Sequence, residues 1–292
     1  MKDFEYFAPK TVEDALSLLS QYKGEAKIIA GGQSMLVLMR QGLLAPEYLV
    51  DIKGISTLDY LIYDEKDGLK IGALTTHRTI EKSPIIQKHF GVLSEMETNL
   101  ATIQTRNWGT IGGNLCHGDP AGDPVPVLMV LDAKLKLKGL SGERMVPMEG
   151  FSKEMLEVDL ESDEMLIEIQ VPVPRNHTGV AHEKLTIMQG DAGIVGATVS
   201  ITLKPGSSIC EDARIVLSNA APIPLRAKEA ERCLIGKTIN EDLLVEVGEV
   251  ASKEASPTSD VHASAEYRKE MIKVFVRRAT REALERARVE VR

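Results

Sequence analysis

Two glycine-centred segments far apart in the chain, Ala30-Gly31-Gly32-Gln33-Ser34 and Thr110-Ile111-Gly112-Gly113-Asn114, carry residue types suited to holding a phosphorylated ligand. Glycines let the backbone approach an anion closely and adopt φ > 0, and free N–H groups at a helix start supply donors and a partial positive charge. The first segment follows Lys27-Ile28-Ile29, which reads as a strand, and precedes an apolar run at 35–39 that reads as the start of a helix. The second repeats the Gly-Gly device between polar Thr110 and Asn114. Two such loops suit a ligand with two phosphates. A Gly-Gly pair by itself is more often a tight turn, so it is the pairing and the flanks that carry this reading.

Other candidate chemistry is weaker. His117-Gly118-Asp119-Pro120-Ala121-Gly122-Asp123 follows directly on the second segment. Its residue types admit a metal site, but oxygen-rich loops with Pro and Gly are usually turns with side-chain caps, and no helical His-x-x-x-His is present. Alternatively, Asp119 or Asp123 accepts hydrogen bonds from hydroxyl groups of the ligand that the glycines hold. Gly236-Lys237-Thr238 fails as a P-loop because Glu231 stands where the first glycine belongs. Neither Gly-x-Gly-x-x-Gly nor Gly-x-Ser-x-Gly occurs, which argues against a simple dinucleotide fold and a hydrolase nucleophile. Arg106 and Trp108, just before the second segment, read as residues that shape it.

The elements that must position these groups follow from periodicity. Thr11-Val12-Glu13-Asp14 reads as a helix cap, followed by Val12, Ala15, Leu16 and Leu19 at helical spacing. Helix, strand, helix and strand (49–52) make an α/β unit over residues 1 to about 55. A strand near 69–73, a helical stretch over 84–102, a short helix at 124–131 and strands at 134–138, 144–147 and 165–171 make a second, α+β unit to 174. Pro172 and Pro174 mark a boundary. Strands at 181–186, 196–203 and 213–217 and helices at 224–235, 240–255 and 264–288 form a C-terminal domain over 175–292. The last helix is rich in Lys and Arg, Arg292 included, which reads first as a solvated face and second as docking on an acidic partner.

At 292 residues and 43% hydrophobic, the chain can support two or three cores. A net charge of -8 argues against general nucleic-acid binding. Residues 1–6 show no signal-peptide core and no stretch is apolar enough for a membrane span, so a cytoplasmic location is expected. Cys116, Cys210 and Cys233 are scattered, fitting a reducing compartment and excluding an all-cysteine four-ligand metal or iron–sulfur site within the chain.

The two glycine segments resemble the FAD-binding motifs of the medium, flavoprotein subunit of molybdenum hydroxylases, a group that includes xanthine dehydrogenase and aerobic carbon monoxide dehydrogenase. Similarity is greatest to the carbon monoxide dehydrogenase medium subunit, and it spans nearly the whole chain. Further landmarks are Pro9-Lys10-Thr11, Ile71-Gly72-Ala73-Leu74-Thr75-Thr76, Gly118-Asp119-Pro120, Glu183-Lys184-Leu185, Leu217-Ser218-Asn219 and Ala265-Glu266-Tyr267-Arg268. The resemblance implies an α+β fold: a two-subdomain FAD-binding domain of the vanillyl-alcohol-oxidase (PCMH) type, then a C-terminal domain of a three-stranded antiparallel sheet and three helices. It implies that Lys27, Ile28, Ile29, Ala30, Gly31, Gly32, Gln33 and Ser34, with Thr110, Ile111, Gly112, Gly113 and Asn114, wrap the FAD pyrophosphate. Asp123 would bind hydroxyls of the flavin's sugar-like chain. Leu100 or Ala101, Leu166 or Ile167, and Lys184 map to further flavin contacts, and a lysine near the flavin ring favours the anionic reduced form by charge pairing. The chain departs from the family pattern at Thr186-Ile187-Met188-Gln189, where relatives often carry basic residues, and at Ala192, where some carry an aromatic.

The function so implied is that of an oxidoreductase subunit with no catalytic side chain and no metal of its own. It would carry electrons from the [2Fe-2S] clusters of a small subunit through FAD to an external acceptor such as quinone, NAD, ferredoxin or oxygen. A large subunit with a molybdenum cofactor would oxidise the substrate. Two alternatives remain at this point: a stand-alone FAD-dependent reductase or oxidase on the same fold, and a flavin-free assembly subunit.

Overall fold

Thr11 starts the first helix, its Oγ1 accepting the Asp14 N–H at 3.1 Å. The computed structural model describes residues 2–289; Met1 and residues 290–292, Arg292 among them, lie outside the described residues. Helix α1 (Val12–Gln21) buries Ala15, Leu16 and Leu19 against Ala26, Val50 and Ile52. The sheet it covers is parallel, with strands β1 (Glu5–Phe7), β2 (Ala26–Ile29) and β3 (Tyr48–Asp51) in the order β1-β3-β2. Helix α2 (Met35–Gln41) connects β2 to β3. Strand β1 has three residues, two of them exposed, so it offers no alternation to read and adds a strand ahead of the expected helix-strand-helix-strand.

Next comes a five-stranded antiparallel sheet of β4 (Leu61–Asp64), β5 (Gly68–Gly72), β6 (Lys134–Gly139), β7 (Gly142–Pro147) and β10 (Met165–Val171), ordered β4-β5-β10-β6-β7. A small hairpin of β8 (Ser152–Glu154) and β9 (Glu157–Val158) lies between β7 and β10 in the chain. The helical stretch expected over 84–102 is two helices, α4 (Pro84–His89) and α5 (Gly91–Thr98), separated at Phe90. Helix α3 (His77–Lys82) precedes them, and α6 (Ile103–Trp108), α7 (Ile111–His117) and α8 (Pro124–Val130) follow. Leu69, Ile71, Leu135, Leu137 and Ile169 of the sheet pack with Ile80, Ile86, Leu93, Leu115 and Leu128 of the helices in one core.

The C-terminal sheet has four antiparallel strands, not the expected three: β11 (Thr178–Leu185), β12 (Val195–Leu203), β13 (Cys210–Ser218) and β14 (Leu225–Arg226). The extra strand is two residues long and follows Pro222-Ile223-Pro224, so it has no periodicity from which to be read. Helices α9 (Lys228–Leu234), α10 (Glu241–Glu254) and α11 (Ala265–Val289) complete this part. Ile272, Val276, Ala279 and Ala283 of α11 pack on the buried strand β12. At Gly179 the helix comes so close that a Cβ there would sit 2.0 Å from the Ala283 carbonyl oxygen.

Several basic residues of α11 find acids of the same chain: Arg268 with Asp260, Lys273 with Glu249 and Glu270, Arg281 with Glu241, and Arg286 with Glu95 and Glu282. Among the described residues, four of the eight basic side chains of the helix are thus paired within the chain. Among the described residues, no helix is long and apolar enough to cross a membrane, and no three His, Cys, Asp or Glu side chains converge as a metal site.

Candidate cofactor-binding site

The fold brings the two glycine segments into contact. A Cβ built on Gly31 would lie 2.1 Å from the Trp108 carbonyl oxygen and 2.8 Å from Gly109 Cα, and one on Gly109 would lie 3.5 Å from Gln33 Cγ. A Cβ on Gly113 would stand 3.9 Å from Ala30 Cβ. Gly32 takes φ +71°, the left-handed turn that carries the chain from β2 into α2. Lys27, Ile28 and Ile29 form β2 behind this turn, with Lys27 exposed and Ile29 buried.

The second segment is not a loop. Thr110 caps helix α7, its Oγ1 accepting the Gly113 N–H at 3.2 Å, and Gly112 and Gly113 lie in the first helical turn. The two segments differ in what their backbones offer. In the second, Ile111 N–H donates to Thr75 O, Gly112 N–H to Ala73 O and Asn114 N–H to Thr110 O, so all four N–H groups from Ile111 to Asn114 are engaged. In the first, the N–H groups of Gly31, Gly32, Gln33 and Ser34 make no hydrogen bond among the described residues, and the Gln33 side chain folds back onto Gly31 O at 3.0 Å. Donors without internal partners, on a turn that is partly exposed, are what an incoming phosphate needs. The glycines of the second segment serve packing instead: a Cβ on Gly112 would lie 2.6 Å from Ala73 O.

Leu166 and Ile167 stand one layer behind. Register slips between Leu166 and Glu168 where β10 pairs with β6, a β-bulge at Ile167. The Ile167 carbonyl accepts the Ala73 N–H at 3.1 Å, and Ala73 in turn holds Gly112. The bulge thus fixes the seat of helix α7.

Asp123 and Lys184, which the sequence offered as separate contacts, form a buried ion pair across 61 positions, Lys184 Nζ to Asp123 Oδ2 at 2.7 Å, with side chains 8% and 6% exposed. Lys184 Nζ also donates to the Asp191 carbonyl at 2.9 Å. An ammonium has three N–H bonds, so one is left for a further acceptor. His182, two residues earlier on the same face of β11, is 3.7 Å from Asp123 Oδ1, longer than a hydrogen bond, with its Nδ1 2.7 Å from Thr198 Oγ1. Burial raises the Asp123 carboxyl, but the His182 ring and the Lys184 ammonium beside it outweigh burial and hold the group below the usual range. Asp119 instead caps its own turn, Oδ1 accepting the Ala121 N–H at 2.9 Å.

Leu100 and Ala101 make a tight turn, with Ala101 in the left-handed region at φ +46°. Leu100 bridges to Gly190 in the hairpin that also carries Asp191, and exposed Ile187 and Met188 stand on that hairpin. Arg106 is buried: its guanidinium donates to Leu100 O at 2.6 Å, Ala101 O at 3.0 Å and Glu81 Oε2 at 2.9 Å. Beside it lies a buried His77–Glu97 contact at 2.9 Å. Sequence reasoning missed Glu81, His77, Glu97 and His182. Only His182 left a signal, its alternation with Lys184.

Residues 2–174 match the family model described as the FAD binding domain in molybdopterin dehydrogenase, and residues 181–283 match the CO dehydrogenase flavoprotein C-terminal domain. The chain belongs to the molybdopterin dehydrogenase FAD-binding family. Its relatives in that family include the carbon monoxide dehydrogenase medium chain of Hydrogenophaga pseudoflava, 36% identical over 94% of this chain and 95% of the relative. The xanthine dehydrogenase FAD-binding subunit of Escherichia coli O157:H7 is 30% identical over 97% of both chains. Among solved structures, the Hydrogenophaga pseudoflava carbon monoxide dehydrogenase lacking the Mo-pyranopterin moiety superposes with a TM-score of 0.94 at 36% identity, covering 97% of this chain and 98% of that one. Quinoline 2-oxidoreductase from Pseudomonas putida 86 gives 0.91 at 29% identity, covering 99% of each. As a member of this family the chain is a medium, FAD-type subunit of molybdenum hydroxylase-type oxidoreductases.

Proposed function

We propose that the chain is the electron-transferring medium subunit of a molybdenum hydroxylase complex, with FAD held between the first glycine turn and the Asp123–Lys184 pair. The observation that carries this reading is the row of unpartnered N–H groups at Gly31–Ser34, set directly against the start of α7. Four donors around an open turn suit the two phosphates of FAD. Lys27 to Ile29, with Ala30, shape that turn from behind, and Thr110 to Asn114 form the wall opposite. Asp123, an acceptor kept charged by its neighbours, suits the hydroxyls of the flavin's sugar-like chain, and the third N–H of Lys184 suits an acceptor on the ring system. Leu100 and Ala101 would flank the ring, while Leu166 and Ile167 back the adjoining wall. When bound, FAD supplies redox chemistry that accepts electrons singly and releases them in pairs. No side chain of this chain needs to act as a nucleophile or general base.

A large subunit with a molybdenum cofactor and a small subunit with [2Fe-2S] clusters would supply the electrons, and quinone, NAD or another acceptor would remove them. The same reading divides the chain into a FAD-binding domain over 1–174, with subdomains of about 1–55 and 56–174, and a C-terminal domain over 175–292. Three hydrophobic cores support that division, one centred in each part, with Leu58, Leu74 and Met165 reaching into the first and Val216 into the second. The test is the visible spectrum of the purified chain, with the released cofactor identified after denaturation. Equimolar FAD is expected. A colourless chain after co-production with both partner subunits and incubation with FAD would overturn the proposal.

A further inference from the structure

Arg106 touches neither glycine segment, yet it is buried at 6% exposure and makes three charge-assisted contacts. Two successive carbonyls, Leu100 O and Ala101 O, converge on its Nη1, and Ala101 adopts φ +46°, a conformation that L-residues rarely take. Such an arrangement persists only where its surroundings hold it. On the far side, Gly190 presses on the turn: a Cβ there would meet Ala101 O at 2.6 Å, and Gly190 itself has φ +91°. The next residue, Asp191, offers its carbonyl to Lys184 Nζ, which also holds Asp123. A continuous path therefore runs from Glu81 through Arg106, the Leu100–Ala101 turn, Gly190 and Asp191 to the Lys184 ammonium.

We propose that Arg106 is a positioning residue for the flavin end of the site, fixing through the Leu100–Ala101 turn and Gly190 where the Lys184 ammonium stands. This rests on the FAD reading above. Glu81 pairs with Arg106 at 2.9 Å and is shared with Arg78 and Lys82, so charge and geometry are separated by Arg106→Lys, which keeps the positive charge and changes only the fork that holds the turn. Lysine cannot replace it, because a point-like ammonium lacks the planar fork that reaches a carboxylate and two carbonyls together.

The test is the midpoint potential of FAD in the FAD-loaded chain, with thermal melting recorded alongside. Lys184→Met is expected to weaken the preference for reduced over oxidised FAD tenfold, a fall of about 30 mV for a two-electron couple. Arg106→Lys and Gly190→Ala are expected to lower the potential in the same direction, although neither alters Lys184. Adding Ala101→Gly to Arg106→Lys is expected to recover part of the fall, because glycine adopts the turn without a clamp. If Lys184→Met lowers the potential while Gly190→Ala and Arg106→Lys keep the wild-type value, the positioning role is refuted and the FAD reading stands. If Lys184→Met has no effect, the assignment of Lys184 to the flavin fails and the positioning role with it. Should Arg106→Lys not fold, Gly190→Ala leaves the guanidinium in place and decides by the same readout.

Discussion

Gly31→Ala tests whether the two glycine segments form one site. Gly31 does not adopt positive φ, so alanine brings no dihedral penalty and the effect is steric. Its Cβ would stand 2.1 Å from the Trp108 carbonyl oxygen, with Trp108 C and Gly109 Cα both at 2.8 Å. The first distance is roughly 1 Å inside the ~3.3 Å of close carbon–oxygen contacts. Every obstructing atom is backbone, so no rotamer change relieves the clash and the segments must separate. Overpacking of this kind costs about 1–3 kcal/mol. In the free chain the segments can part to relieve it, but a ligand spanning both must draw them back, so the cost falls largely on binding. At about 1.4 kcal/mol per tenfold, FAD affinity should drop roughly 5- to 100-fold. The assay is FAD titration of the apo chain followed by flavin fluorescence, with thermal melting in parallel. Gly91→Ala is the control: its nearest neighbour is Glu95 Oε1 at 4.0 Å, and affinity should stay at the wild-type value. Wild-type affinity in Gly31→Ala, or a lower melting temperature with unchanged affinity, would refute the shared-site geometry.

Two further predictions concern buried carboxyls. Burial pushes Glu97 above the ordinary range despite His77, and its Oε2 has no partner. A raised folded-state pKa contributes stability that is full below the unfolded value and is lost as pH rises through the folded value. Glu97→Gln should therefore melt increasingly above wild type as pH is raised above the unfolded carboxyl value near 4, with a gain of about 1–3 kcal/mol for removing an unsatisfied buried carboxylate; a gap that stays constant with pH counts against it. Asp123 shows the opposite sign. Its folded pKa is depressed, so its stabilisation is present above the unfolded value near 4 and is lost as pH falls through the folded value. The stability difference between wild type and Asp123→Asn, followed by urea denaturation, should shrink as pH falls below about 4.

Much of the fold is legible in local pattern. Thr11 at the first helix start, the spacing of Ala15, Leu16 and Leu19, and the alternation of Leu69 with Ile71 are short-range signals of capping and one-sided burial, and each element forms where they stand. Elements of two or three residues escape this reading. β1 and β14 exist only because neighbouring strands accept their hydrogen bonds, and nothing in Glu5–Phe7 or Leu225–Arg226 announces that partner.

For the site, the amino-acid sequence by itself determined the chemistry available: two Gly-Gly segments, a carboxylate at 123 and a lysine at 184. It did not determine their roles relative to one another. Only the tertiary structure decided that the first segment keeps its N–H groups open while the second uses them on Ala73, Thr75 and Thr110. It alone joined Asp123 to Lys184 and placed Arg106 under the Leu100–Ala101 turn. The physical reason is range. Caps and amphipathic faces depend on neighbours within a turn or two, whereas donor satisfaction and ion pairing depend on which distant atoms the packed cores bring within 3 Å.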